Sequence, residues 1–200
     1  MVIGVTGGVG TGKSTVLSIL HEDYGAKLIL CDDVARELME PFGKCYIPIV
    51  ETFGEEILVD GYGSEINRPL LSEIVFNDPD KLALLNSLTH PVVKDEIREM
   101  IERYNEEGAK FIVVEAALLI EAGYLDIIDE LWVVYTVYEQ RVERLISSRN
   151  YSIERINDTM ASQLSDEEFR KYADFVIDNS YTIEYTRKQI HERLDEGIYC

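Results

Sequence analysis

Gly7-Gly8-Val9-Gly10-Thr11-Gly12-Lys13-Ser14-Thr15 lies between an apolar run, Val2-Ile3-Gly4-Val5, and a segment of helical spacing, Val16-Leu17-Ser18-Ile19-Leu20. Strand, glycine loop and helix in that order, spelled G-x-x-x-x-G-K-[ST], form the phosphate-binding arrangement. Glycines carry no Cβ, so successive backbone N–H groups can turn inward on phosphate oxygens, and the helix N-terminus adds positive potential. On this reading Gly8, Val9, Gly10, Thr11, Gly12, Lys13, Ser14 and Thr15 hold a nucleoside triphosphate. Lys13 reaches its β/γ-phosphates and the Ser14 hydroxyl binds Mg²⁺ held between them. A glycine-rich turn that binds nothing is the competing reading, and the flanking strand and helix argue against it.

Moving outward, Lys27-Leu28-Ile29-Leu30-Cys31 reads as a second strand, with Asp32-Asp33 at its carboxyl end. Ligands of open parallel sheets gather at such ends. One of the two acids is expected to cap or face solvent and the other to face the phosphates. Arg36 either holds a substrate anion or pairs with Glu40 at i+4, two readings left even. The third strand, Phe111-Ile112-Val113-Val114-Glu115, ends in an acid where a Walker-B carboxylate stands, which nominates Glu115 for the metal. Leu131-Trp132-Val133-Val134-Tyr135 is the fourth strand and Ala173 to Asn179 the last.

Between the second and third strands the alternation stops. Residues 41–107 read as a helical insertion with apolar stripes at Leu70-Leu71, Ile74-Val75, Leu82, Leu84-Leu85 and Leu88. Asn77-Asp78-Pro79 spells turn, cap and helix start. Thr89-His90-Pro91 is expected to break the chain before a long amphipathic helix from Val92. Locally, His90 reads as a turn residue rather than a ligand. After the helix carrying Arg141, Arg144 and Arg149, the polar segment 149–171 has the profile of a lid. Arg149 and Arg170 are its candidates for phosphate contact, and Arg155 reads as surface.

Together these elements predict an α/β fold: a doubly wound five-stranded parallel sheet with a helical insertion and a helical lid. The core is expected over 1–40 and 108–200 (lid about 149–171), and the insertion over 41–107. Two hundred residues, 46% hydrophobic, suffice for one such domain. The net charge of −19 argues against a nucleic-acid partner, so cations for a polyanionic ligand must be gathered locally. Cys31, Cys45 and Cys200 show no metal-type spacing, as in a reduced cytosolic chain. No apolar run approaches membrane-spanning length, which makes a soluble cytoplasmic protein the expectation.

The ordered set of motifs resembles the dephospho-coenzyme A kinase family over nearly the whole chain. Thr6-Gly7-Gly8 ahead of the loop, Asp32-Asp33-Val34-Ala35-Arg36 with Glu40-Pro41, Arg68-Pro69-Leu70-Leu71 with Val75-Phe76, and Leu88-Thr89-His90-Pro91 carry the likeness. So do Ala117-Leu118-Leu119-Ile120-Glu121 and Ala173 to Ser180. The resemblance implies phosphorylation of the ribose 3′-hydroxyl of dephospho-CoA by ATP, with Mg²⁺, giving CoA. It implies Asp32 as general base, with Lys13 and Arg149 completing the catalytic set. Asp32, Arg36, Arg68, Leu71, Phe76, His90, Pro91 and Leu118 become the acceptor-binding set, and the insertion the substrate-binding element. Gln163 and Arg170 match the far side of the lid, and Asn179 lies by the adenine through its backbone. The sequence departs from the family pattern at Leu30, Ala117 and Glu115, where the family has Asp, Pro and Asp. ATP and dephospho-CoA are the expected partners, with no nucleic acid, no membrane, and a monomer or weak homo-oligomer. Another small-molecule P-loop kinase, for a nucleoside, nucleotide or sugar, is the alternative. A nucleotide switch ranks below it, because the closing strand ends in Asp178-Asn179-Ser180 and not in a guanine-reading Asn-Lys-x-Asp.

Overall fold

In the computed structural model, which describes residues 1–196, five strands form one sheet in the order β2-β3-β1-β4-β5. They are β1 (Val2–Thr6), β2 (Lys27–Leu30), β3 (Ile112–Glu115), β4 (Glu130–Tyr135) and β5 (Phe175–Asp178). β1 pairs parallel with β3 (Gly4 opposite Val114) and with β4 (Gly4 opposite Leu131), and β4 pairs parallel with β5. Ile3, Ile112, Val113 and Trp132 are fully buried, as strands covered on both faces require. The chain leaves β1 toward β2 on one side and returns to β4 on the other. Right-handed crossovers on both sides then place helices on both faces, the doubly wound arrangement. The carboxyl end of β1, where the order reverses, carries the glycine loop.

The chain forms two compact units, residues 1–29 with 104 onward, and Leu30–Arg103. The first holds the sheet, α1 (Lys13–Tyr24), α6 (Tyr138–Arg149), α7 (Ile153–Ala161), α8 (Asp166–Tyr172) and α9 (Ile183–Glu196). Cys200 lies outside the described residues.

The second unit is helical: α2 (Cys31–Leu38), α3 (Tyr46–Phe53), α4 (Arg68–Phe76) and most of α5 (Pro79–Glu106). Residues 30–40 group with these helices. Tyr46, Ile49, Ile57 and Ile97 are fully buried at its centre, and Tyr46 donates its hydroxyl to Ser64 O (2.7 Å) while accepting from the Gly63 N–H (3.0 Å). Asn67 caps α4 by accepting from the Leu70 N–H (3.2 Å), and Asp78 caps α5 by accepting from the N–H groups of Asp80 and Lys81 (3.1 Å each).

Three expectations change. Cys31 opens α2 instead of ending β2, so Asp32 and Asp33 sit in a first helical turn, where acids meet the positive end of the helix. The chain does not break at Pro91: α5 runs through it. Pro91 removes one ladder donor and crowds the Ser87 carbonyl, a cost of ~3 kcal/mol in a typical helix interior. Ser87, His90 and Pro91 are all exposed, so water can take the carbonyl that Pro91 leaves. Leu82 and Leu84 are partly exposed, so only the stretch through Thr89, Val93, Ile97 and Ile101 acts as the apolar stripe of α5.

Phe42, between α2 and α3, is a non-glycine residue at φ 69° and is 80% exposed. Its ring lies 6.4 Å from that of Tyr46, an exposed and shallow contact. A left-handed conformation costs an L-residue roughly 1–2 kcal/mol, partly offset by the greater freedom of glycine when unfolded. Phe42→Gly is therefore expected to raise stability by up to ~1 kcal/mol in urea titration. A loss of stability would instead assign the ring a packing role.

Candidate active site

Within the sheet unit the loop between β1 and α1 is held by side chains that bond its carbonyls. Lys13 Nζ donates to Gly7 O (3.0 Å) and Thr11 Oγ1 donates to Gly8 O (2.9 Å). Arg141 Nε donates to Val9 O (2.9 Å). Thr11 O receives Asn179 Nδ2 (2.8 Å), Thr136 Oγ1 (2.8 Å) and Arg144 Nη1 (3.2 Å). In a planar trans peptide the N–H points opposite to the C=O. Holding the carbonyls of Gly8, Val9 and Thr11 on these side chains therefore aims the amides of Val9, Gly10 and Gly12 away from them. This is the arrangement in which backbone donors meet an anion at a helix N-terminus.

Two glycines show where this loop has no free room for a side chain. Gly12 has φ 86°, and a Cβ there would strike the Asn179 carboxamide. A Cβ at Gly8 would strike the Arg141 guanidinium. The loop and its clamps are packed as one unit.

Lys13 also approaches Glu115 at the end of β3, with Nζ 3.8 Å from Oε1 and both side chains largely buried. Thr15 N donates to Gly12 O (3.0 Å) and opens α1, while Ser14 is exposed at the same turn. Ser14 hydroxyl and Glu115 carboxylate are hard oxygen donors, the type Mg²⁺ takes together with phosphates. Among the described residues no group of three or more His, Cys, Asp or Glu side chains is placed to hold a metal.

Arg141 is 7% exposed, and burial pushes its guanidinium below its ordinary range, opposed by Asp166 at 3.3 Å. The buried Ile156 of α7 and Phe169 of α8 anchor the segment 149–171. Its turn reaches the loop itself, where the Val9 N–H donates to Gln163 Oε1 (2.8 Å). Arg170 lies over the Tyr135 ring at 4.8 Å, and Arg149, exposed at the end of α6, lies 6.0 Å from the Tyr151 ring. Arg155 is the closer cation on Tyr151, at 4.0 Å. Leu118, just past β3, is 53% exposed.

Asn179 is 4% exposed, and all its polar groups have internal partners. Its N–H donates to Tyr135 O (2.8 Å), its C=O accepts from Arg144 Nη2 (2.8 Å), and its Oδ1 accepts from Thr186 Oγ1 (2.8 Å). The backbone that the family likeness offers to adenine is engaged with β4 and α6. Thr136, Arg141, Arg144 and Thr186 complete the loop's support, and sequence reasoning gave none of them that role. The one local signal was the i,i+3 spacing of Arg141 and Arg144, which sets both on one face of α6.

In the helical unit, Asp32 is exposed in the first turn of α2 and Asp33 pairs with Arg36 (3.0 Å). Arg36 thus has Asp33 as its ion-pair partner, not Glu40. Glu40 instead accepts from Arg68 Nη2 (2.6 Å), which also reaches Arg36 O (3.0 Å). This bond ties the end of α2 to the start of α4. Leu71 is buried in the unit's core, Phe76 is 87% exposed, and His90 and Pro91 lie on the exposed face of α5. No helix among the described residues is long and apolar enough to cross a membrane.

The family model described as dephospho-CoA kinase matches residues 1–184. The chain is 41% identical over 189 residues to a dephospho-CoA kinase of Carboxydothermus hydrogenoformans, covering 94% of this chain and 90% of the relative. To that of Listeria monocytogenes it is 38% identical over 197 residues, covering 98% and 96%. The solved dephospho-CoA kinase of Campylobacter jejuni superposes with a TM-score of 0.72 at 28% identity, over 98% of this chain and 96% of the other.

Proposed function

The chain belongs to the dephospho-CoA kinase family, and from that membership we propose how its residues divide the work of an ATP-dependent kinase acting on dephospho-CoA. The observation that supports the division best is the fastening of the Gly8, Val9 and Thr11 carbonyls by side chains, which turns the amides of Gly10 and Gly12 away from those clamps and toward a triphosphate. Gly8 to Thr15 cradle the phosphates, and Lys13 turns from Gly7 O and Glu115 to the β/γ-phosphates when nucleotide arrives. Ser14 and Glu115 would hold Mg²⁺, which would supply positive charge to the phosphates.

Arg68, Arg36, Phe76, His90 and Pro91 hold the acceptor, with Leu71 buried beneath them. Leu118 offers the acceptor an exposed apolar contact. The ribose 3′-hydroxyl attacks the γ-phosphorus in line, the bond to the β-phosphate oxygen breaks, and ADP leaves. Asp32 takes the hydroxyl proton and passes it to water. Arg149 and Arg170 neutralise charge on the transferring group. Asn179 acts on ATP through the loop. We place the protein in the cytoplasm as a monomer or weak homo-oligomer.

The direct test incubates the protein with ATP, Mg²⁺ and dephospho-CoA and follows product mass. CoA and an equal amount of ADP are expected, with no phosphoryl gain on uridine, adenosine monophosphate or gluconate. Phosphorylation of one of those acceptors in preference to dephospho-CoA would reject the substrate assignment.

A further inference from the structure

We infer that Thr186 and Asn179 form a positioning relay for the phosphate-binding loop, in which Thr186 sets the Asn179 carboxamide and the carboxamide sets the Thr11–Gly12 peptide. The inference rests on the nucleotide role of that loop. Neither side chain has to touch the nucleotide.

The relay begins in the first turn of α9, where Thr186 is fully buried and donates its hydroxyl to Asn179 Oδ1 (2.8 Å). Its other acceptor, Thr182 O, is farther away at 3.4 Å. Asn179 then has one orientation open to it. With Oδ1 on Thr186, Nδ2 faces Thr11 O and donates at 2.8 Å, whereas a flipped amide would set two acceptors against each other. Its backbone is held as firmly, by Tyr135 O on one side and Arg144 on the other. The carboxamide therefore stands still at the spot where Gly12 would carry a Cβ.

Fixing Thr11 O fixes the plane of the next peptide, and that peptide carries the Gly12 N–H. An amide aimed before the phosphate arrives need not be ordered by it, which is the general basis of affinity from preorganisation. Thr136 and Arg144 also reach Thr11 O, but Thr136 has a second acceptor in Tyr135 O (2.8 Å) and Arg144 stands farther off. Asn179 is the donor on Thr11 O whose orientation is fixed by a further buried bond.

Thr186→Val keeps the shape and removes the donor, leaving Oδ1 of a buried amide without a partner. Such a loss corresponds to an affinity change of about 5- to 30-fold. The expected result is a Kd and KM for ATP raised by that factor, with KM for dephospho-CoA unchanged. Thr186→Ser, which keeps the hydroxyl, restores wild-type values. Asn179→Asp reads the relay from its other end: it keeps the size but sets an acceptor against Thr11 O, and is expected to lose ATP affinity at least as far. Nucleotide affinity is measured with a fluorescent ATP analogue in the absence of acceptor, alongside steady-state kinetics and Tm.

A lowered Tm with ATP affinity retained in both variants would overturn the relay, since that is what a purely structural threonine gives. An equal rise in both KM values, or Thr186→Ser behaving like Thr186→Val, would overturn it as well. Wild-type protein that made no CoA while the variants lost ATP affinity as stated would reject the acceptor assignment and leave the relay standing.

Discussion

Lys13→Ala is expected to lower kcat for CoA formation by about 10²–10³-fold, the usual cost of deleting one preorganised electrostatic stabiliser. The loss should fall mainly on kcat. The amides of the loop and the α1 N-terminus remain to hold the ground-state phosphates, while the ammonium that meets charge growing toward the β/γ bridge is gone. The fold should persist. Lys13 donates to the Gly7 carbonyl at 3.0 Å and stands 3.8 Å from Glu115, and the substitution removes that hydrogen bond and that long ion pair. Hydrogen bonds of this kind contribute about 1 kcal/mol net. Thermal unfolding beside steady-state kinetics separates the two effects. Near-wild-type turnover in Lys13→Ala would remove the nucleotide reading of the loop. Collapse of the fold would make Lys13 a clamp like Arg141.

Asp32→Asn should cost about 10²–10⁴-fold in kcat, the range in which a positioned general base acts. Asparagine keeps the shape of the side chain but cannot accept the hydroxyl proton. It also removes a negative charge on the acceptor side of the reaction, so ATP affinity should hold or improve. Stability should change little: Asp32 is exposed, and an acid in a first helical turn contributes about 0.3–1 kcal/mol. Asp33→Asn is the internal control. Asp33 is committed to Arg36 at 3.0 Å, and an exposed ion pair of this kind contributes about 0–1 kcal/mol. Its turnover should stay near wild type. If Asp33→Asn is the inactive variant, the two acids have exchanged roles. If Asp32→Asn loses ATP and Mg²⁺ together, the carboxylate serves the metal and Glu115 becomes the candidate base.

What the sequence by itself determined is the set of features written in neighbouring residues. Glycine spelling between an apolar run and a helical one placed the loop at Gly7 to Thr15, because only residues without Cβ allow that backbone path. Continuous apolar runs marked the central strands, and Asn77-Asp78-Pro79 marked a helix start that the structure keeps. Local rules also misled where the deciding partner was not local. Pro91 reads as a break because proline lacks a donor, yet α5 continues through it on an exposed face where water can take the freed carbonyl. Arg36 could have paired at i+4 with Glu40, but Arg68, from another helix, takes that carboxylate. The support of the loop was out of reach altogether. Arg141 reaches Val9 O across 132 positions, Arg144 and Asn179 reach Thr11 O across 133 and 168, and no periodicity records such separations. They meet because parallel pairing in the order β1-β4-β5 sets the carboxyl ends of three strands side by side. The residues just past β4 and β5 then fall against the loop just past β1. The sequence wrote the loop, and the order of the strands chose the side chains that hold it open.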